Sequence, residues 1–239
     1  MNKLIPFFLL ALTLGFVTMS GCSSTDAPAD TATVSMVAET EGSVASAAFR
    51  KQPNSPAAGA IADSIEITRV RYLLSRVKLH VEGNDTLKDA NIKTGPFIIE
   101  FTPGLSKVFT TATIPAGSYE KIKFEIHKFP SSIDQTYLND PVFSDFVTGE
   151  RSTVIIEGKV WSAQNTTPTN FVFKSDITAN LEAKFPGNIT LDAGSTTTLA
   201  MIFSPILAFK ASSVLDPRDP ANANDIDNYL KSAIKSLKK

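Results

Sequence analysis

Apolar residues recur with period two through most of the chain beyond residue 32, and with helical spacing only near its end. The clearest strand is Tyr119–Lys128 (YEKIKFEIHK). Ile122, Phe124 and Ile126 fall on one face, while Lys121, Lys123, Glu125 and His127 fall on the other, as a half-buried strand requires. Ile65–Val81 is longer and less regular. Ile65 and Ile67, then Val70, Tyr72 and Leu74, then Val77, Leu79 and Val81 alternate within each group. The phase slips near Thr68 and again near Ser75, which β-bulges or a tight bend would produce. A helix through Val70, Leu73, Leu74, Val77 and Val81 also fits that spacing. The β-branched residues at both ends and the lack of capping residues favour a strand.

Further strands are expected over Thr33–Glu39, Pro96–Phe101, Lys107–Thr113, Val154–Trp161, Phe171–Ile177, Leu181–Phe185, Ile189–Asp192 and Thr197–Phe203. Ile114–Ser118 (IPAGS) is a turn, because Pro presets φ and Gly permits positive φ. Gly42–Ala62, rich in Ala, Ser and Pro, reads as a long surface loop. Short strands spaced about ten residues apart predict a mainly β fold, an antiparallel β-sandwich of immunoglobulin-like type. From Asp225 the apolar residues Ile226, Tyr229, Leu230, Ala233, Ile234 and Leu237 take helical spacing. Asn224 can cap that segment, Asp225 and Asp227 fall in its first turn, and Lys235, Lys238 and Lys239 in its last, an order that suits the helix dipole. The expectation is a terminal amphipathic helix over 225–238.

The N-terminal run has a different character. Lys3 precedes an apolar stretch from Leu4 to Val17, and Thr18–Gly21 then leads into Cys22. This is the layout of a secretory signal, and the run is shorter than the roughly 20 apolar residues that span a bilayer. Met19-Ser20-Gly21-Cys22 resembles the lipobox of bacterial lipoproteins. The resemblance implies cleavage after Gly21 and lipidation of Cys22, with Met19 standing where Leu is usual. Several acyl chains, at about 0.8 kcal/mol per buried methylene, make a stable anchor. A free cysteine beside an ordinary cleavage site is the alternative. Residues 1–21 are therefore expected to be a signal peptide and 22–31 (with SSTDAPAD) a tether. The single domain would cover 32–239. Ser23 and Ser24 after the cysteine imply the outer membrane, by resemblance to enterobacterial sorting.

RVRYLLSRVKLHVEG, TGPFIIEF, IPAGSYEKIKFEIHK and DPRDPANANDIDNYLKSAIKS are similar to segments of uncharacterised bacterial lipoproteins with a prealbumin-like β-sandwich. The resemblance covers most of 32–239. It implies fold and location, and brings no activity with it.

Composition narrows the chemistry. Without Lys3 the chain keeps 22 of its 23 basic residues against 24 acidic ones, a net charge of −2. That balance speaks against nucleic acid as a partner. Cys22 is the single cysteine, so disulfides, thiolate metal sites and a cysteine nucleophile are excluded. Stability must come from packing, for which 16 Phe are available.

No G-x-S-x-G elbow or H-E-x-x-H zinc motif is present, and no cofactor is expected. His80 and His127 sit on outward positions among Lys and Arg. Glu100, Glu125, Glu157 and Asp176 lie on strands that can be neighbours, which leaves carboxylate-based hydrolysis of a glycan open. Asp216, Asp219, Asn222, Asn224, Asp225 and Asp227 crowd hard oxygen ligands into one loop and are calcium candidates. Turn-making and helix capping explain the same residues. Arg69 with Arg71, and Arg76 with Lys78 and His80, form basic rows that could meet an anionic glycan or lipid head group. A solubilising edge that discourages sheet-to-sheet aggregation is the better account of them. The sequons at Asn84, Asn165 and Asn188 read as turn residues. The expected role is a non-enzymatic binding or structural module of the cell envelope, anchored by lipid, with a protein or glycan partner. A glycan-directed hydrolase and a fimbria-like subunit completed by a donated strand are the alternatives.

Overall fold

The computed structural model describes residues 30–41, 61–81, 89–130, 132, 135–162, 165–209 and 214–239. Cys22, the signal segment, residues 22–29 of the tether, most of the Gly42–Ala62 loop and the sequon at Asn84 lie outside them. In chain order the strands and helices are β1 (Thr31–Thr40), β2 (Ile61–Ala62), β3 (Ser64–Val81), β4 (Ala90–Phe101), β5 (Lys107–Pro115), β6 (Gly117–Ile126), α1 (Gln135–Asn139), α2 (Ser144–Val147), β7 (Val154–Ser162), β8 (Asn165–Ser175), β9 (Ala179–Leu191), β10 (Thr196–Phe203), α3 (Pro205–Phe209), β11 (Val214–Leu215), α4 (Ala223–Leu230) and β12 (Ile234–Lys238). The fold is mainly β, with two layered sheets and a short helix near the C-terminus.

One sheet has the order β12-β10-β1-β5. The other runs β8-β7-β3-β6-β9, with β4 also paired to β3. β2 and β11 form a small separate ladder. The expected antiparallel pattern holds throughout except at one place: β1 and β10 run parallel, Thr33 facing Thr196 through Thr40 facing Phe203. Alternation tells which face of a strand is buried but not the direction of its neighbour, so this pairing left no mark in the sequence.

β3 organises the second sheet. Val70–Tyr72 pair with both β4 and β7, while Leu74 and Arg76–Leu79 pair with both β4 and β6. Thus β7 and β6 follow one another along a single edge of β3, with β4 on the opposite edge. The register shifts between Ile67 and Arg69 and between Leu74 and Arg76, the two positions where the apolar phase slips. It shifts again at Val77/Lys78 against β4 and at His80/Val81 against β6, where the alternation gives no sign of it. Each of the first two bulges restores the inward direction of the next apolar group, so that Ile67, Val70, Leu74 and Val77 are all buried.

Between the sheets lies one continuous apolar core. A second, smaller cluster sits on the outer surface of the second sheet. There the segment between β6 and β7 folds α1 and α2 over Leu73 and Ile155, burying Phe129, Phe146 and Val147. Phe129, Tyr137 and Phe143 pack with ring centroids 4.7–5.7 Å apart. This cover explains why Val70–Leu74 is buried on both faces.

Three other expectations change. The two strands expected over 181–192 are one, β9, carrying a register irregularity opposite Tyr119–Lys121. The sequons at Asn165 and Asn188 lie in strands rather than turns. The terminal helix ends at Leu230 instead of continuing to 238, and Ile234–Lys238 pairs antiparallel with β10. Ser232 closes the helix by hydrogen-bonding the Tyr229 carbonyl through both its amide and its hydroxyl. In β12 Ile234 and Ser236 are both buried, and Ser236 Oγ donates to the Ala183 carbonyl at 2.8 Å. With serine at an inward position the period-two signal is lost, which is why the helical spacing dominated. β12 thus forms one edge of the first sheet, on the side of β10 opposite β1.

Candidate functional site

The two basic rows lie on the outer surface of the second sheet, and neighbouring strands interleave them with carboxylates. Arg69 pairs with Glu100 of β4 at 2.6 Å and with Glu157 of β7 at 3.6 Å. Arg71 pairs with Glu157 at 2.9 Å and Asp145 of α2 at 2.7 Å, and its guanidinium stacks over Phe146. Arg76 meets Glu125 at 3.4 Å, and Lys78 meets Asp89 at 3.1 Å. His80 Nδ1 lies 2.6 Å from Asp89 and 2.9 Å from Lys123 Nζ, while its Nε2 is 3.7 Å from Glu120. Burial alone would raise the Asp89 carboxyl, but hydrogen bonds from Lys78 and His80 outweigh it and hold the group below its ordinary value. Burial is likewise outweighed at Glu100 by the Arg69 guanidinium. The rows are thus half of a ladder of opposite charges, and the cations are already matched within the chain.

Arg71 does more than neutralise. Only 7% of its side chain is exposed, and it ties the α1–α2 cover to the sheet. Arg71→Ala removes the contact with Phe146 and both ion pairs, at a cost of about 1–3 kcal/mol. Hydrogen exchange at the Phe146 and Val147 amides should accelerate well before global unfolding. Unchanged protection there would show that the cover holds by its apolar contacts alone.

The four carboxylates singled out for hydrolysis are each paired with a cation of the chain. Glu100 and Glu157 share Arg69, Glu125 takes Arg76, and Asp176 pairs with Lys128. His127 is exposed just past β6 and borders a small apolar cleft with Phe129, Pro130 and Tyr137. The calcium candidates are used locally. Asp216 accepts from the backbone and guanidinium of Arg218, Asn222 Nδ2 donates to the Asp216 carbonyl, and Asp219 accepts from the Ala221 amide at 2.9 Å. Asp225 is exposed in the first turn of α4. Among the described residues no group of three or more His, Cys, Asp or Glu is placed to hold a metal ion.

Asp176 does border an open polar groove of about 880 Å³. One wall is the loop Val147–Ser152 after α2, which turns at Gly149 with φ +74°. Lys174–Asp176 at the end of β8 lines it as well, with Lys128 beyond β6. Ala223, Asn224 and Asp227 of α4 close the other side. The β7 end is held in place by Thr153 Oγ1, which donates to the Ile177 carbonyl at 2.7 Å. Lys174 Nζ donates to the Asp145 carbonyl at 3.3 Å. Asp227 is the most perturbed acid here. Burial, assisted by the nearby Asp176 charge, raises its carboxyl above the ordinary value against a hydrogen bond from Ser175. Its Oδ1 is buried and has no hydrogen-bond partner.

A raised carboxyl value means that the folded state binds the proton more tightly than the unfolded chain does. The folded state therefore loses stability as pH climbs from the ordinary 3.8 through the raised value. Asp227→Asn should stabilise the protein at pH 7 by at most about 1 kcal/mol, since the side chain is only half-buried. Melting curves should show that gain disappearing below pH ~4. A variant no more stable than the parent at pH 7 would contradict this reading.

The sequence singled out Asp176, Asn224 and Asp227 but not their convergence. Lys128, Glu150, Arg151 and Lys174 carried no signal of their own, because they belong to three segments joined only by the fold.

No family model matches the chain, and no curated protein matches it. Among solved structures it is similar to MbnP from Methylosinus trichosporium, at 12% identity and a TM-score of 0.41 over 87% of this chain and 98% of that one. A likeness so distant carries nothing about the site.

Proposed function

We propose that the chain is a non-enzymatic module of the bacterial cell envelope, anchored through a lipid on Cys22, that binds its partner in the groove between Val147–Ser152, the end of β8 and α4. The observation that carries the binding part is the contrast between two charged surfaces. On the outer sheet surface each basic candidate meets a carboxylate of its own chain, and the unmatched Arg71 Nε there lies under the α1–α2 cover, whereas the buried Asp227 Oδ1 without a partner borders an open groove. A buried polar atom left unsatisfied is destabilising unless something else answers it, and such groups concentrate where ligands bind. The anchor rests on the motif Met19–Cys22 and on its similarity to the lipobox, and the outer membrane on Ser23 and Ser24.

Cys22→Ser tests the anchor. In cells fed labelled palmitate, the parent protein should carry label and sediment with membranes. The variant should lose the label and pass to the soluble fraction. A parent protein without label, found free in the medium, would remove the anchor from the proposal.

One observation favours a second reading, carboxylate-based glycan hydrolysis: Asp176 and Asp227 line the same groove, and burial acts on Asp227. Unequal protonation of two nearby acids is what such chemistry uses. Turnover of a polysaccharide by the purified protein, abolished by both Asp176→Asn and Asp227→Asn, would establish it in place of the binding module.

A further inference from the structure

We propose that the groove bordered by Asp227, Asn224, Lys174 and Glu150 takes a neutral, polyhydroxylated ligand, an oligosaccharide stretch; the assignment rests on the binding reading above and names its ligand class. The charge balance comes first. Lys128, Arg151 and Lys174 stand with Glu150, Asp176 and Asp227, so among the described residues the lining has three groups of each sign. A lining without net charge has no field to gather a polyanion such as a phosphate-rich glycolipid, or a polycation.

The hydrogen-bonding groups narrow the class further. Asp227 Oδ1 is buried and accepts nothing. The Glu150 carboxylate and the Asn224 amide line the groove and make no side-chain hydrogen bond among the described residues. Lys174 spends its ammonium on one long contact to a carbonyl. One buried acceptor without a partner and three exposed polar side chains not tied up by other side chains thus stand in one concavity. A simple amine would answer only the acceptors, and a phosphate only the donors. A hydroxyl donates and accepts at once. An array of hydroxyls on a sugar can therefore give hydrogens to Asp227 and Glu150 while receiving them from Lys174 and Asn224. The volume, about 880 Å³, lies in the upper range of ligand sites and is far larger than an ion needs. Among the described residues no aromatic ring lines the groove, so affinity comes from these hydrogen bonds and should be modest, roughly 0.1–1 mM.

The experiment uses the full chain in a sugar-free zwitterionic detergent, with linear hexasaccharides of glucose in β-1,4 and α-1,4 linkage and of N-acetylglucosamine. Isothermal titration should find a Kd in that range for at least one of them. Asp227→Ala and Lys174→Ala should each weaken it tenfold or more. Lys235→Ala, in the remote ion pair with Glu41, should leave it unchanged. Melting curves confirm that each variant is folded. Failure of all three sugars to bind at 10 mM, binding indifferent to Asp227 and Lys174, or tighter binding of inorganic phosphate would each overturn the assignment.

A photo-crosslinking side chain in place of Asn224, used in intact cells, separates this failure from that of the parent reading. An adduct with an envelope protein, alongside no sugar binding, overturns the glycan and keeps the groove as a recognition site. Neither adduct nor sugar binding overturns both.

Discussion

Gly158→Ala should destabilise the domain by about 3 kcal/mol or more, lowering the melting temperature by roughly 6–12 °C at this chain length. Gly158 sits mid-β7, opposite Ile67 of β3 on one side and Phe171 of β8 on the other. A Cβ built there would lie 2.3 Å from the Glu66 carbonyl oxygen and 2.8 Å from Phe171 Cε1. The close carbonyl is backbone beside the Ile67/Arg69 bulge, so it cannot swing aside as a side-chain end could. Relief needs either a shift of β3 against β7 or expulsion of the buried Phe171 ring. Either disturbs β7, which with β3 carries the Arg69–Arg71–Glu157 ladder. Gly187 in β9 is the internal control. A Cβ there meets nothing within 4 Å, so Gly187→Ala should change stability by well under 1 kcal/mol. If the two alanine variants melt together, the close β3–β7–β8 approach at Gly158 is wrong.

The same bulge shows what the sequence could reveal. β3 was legible because phase in an alternating strand is a local quantity. A slip near Thr68 can be seen without knowing the partner, and the register shift between Ile67 and Arg69 falls there. β6 was legible for the same reason, since Ile122, Phe124 and Ile126 are all buried. The parallel β1–β10 pairing was not, because direction belongs to the pair and leaves no trace in either strand. β12 was hidden by Ser236, a polar residue on an inward position satisfied by the Ala183 carbonyl. The α1–α2 cover was missed because helices of five and four residues are too short to show a period.

The site was less legible than the fold, for a related reason. Alternation puts each basic row on one face of its strand, but the matching acids lie on other elements: Asp145 is 74 positions from Arg71, and Glu157 is 86. A row of cations read along one strand therefore looks like an open anion site when the folded surface is already matched. Conversely, Asn224 and Asp227 looked like capping residues because their local context is a helix start. Only the fold brings them against Lys174 and Asp176 across a groove.

Phe203→Ala should cost about 3–5 kcal/mol, and it tests the joint between the two sheets. Phe203 ends β10 in one sheet, while Tyr72 and Phe101 belong to β3 and β4 in the other, and all three are fully buried. Their ring centroids form a triangle of 5.8, 6.0 and 6.2 Å, with Tyr72 and Phe101 edge to face. Aromatic pairs of this kind contribute about 0.5–1.5 kcal/mol beyond the area they bury, so one truncation weakens two of the three contacts. The backbone of Phe203 is fixed too. It faces Thr40 of β1 and Ile234 of β12, and its carbonyl accepts the Glu41 amide at 2.8 Å. The chain therefore cannot easily close over the vacated space, which places the loss toward the upper end of the range. Phe203→Leu keeps most of the volume and should cost less than about 1.5 kcal/mol. Urea unfolding measures both, and the double variant with Phe101→Ala should lose less than the sum of the single losses, because the two rings touch each other. Strict additivity, or a Phe203→Ala loss below about 1 kcal/mol, would mean that the sheets are not joined through this triangle. The second sheet would then owe its position to α4, whose Ile226 and Leu230 are buried in the same core.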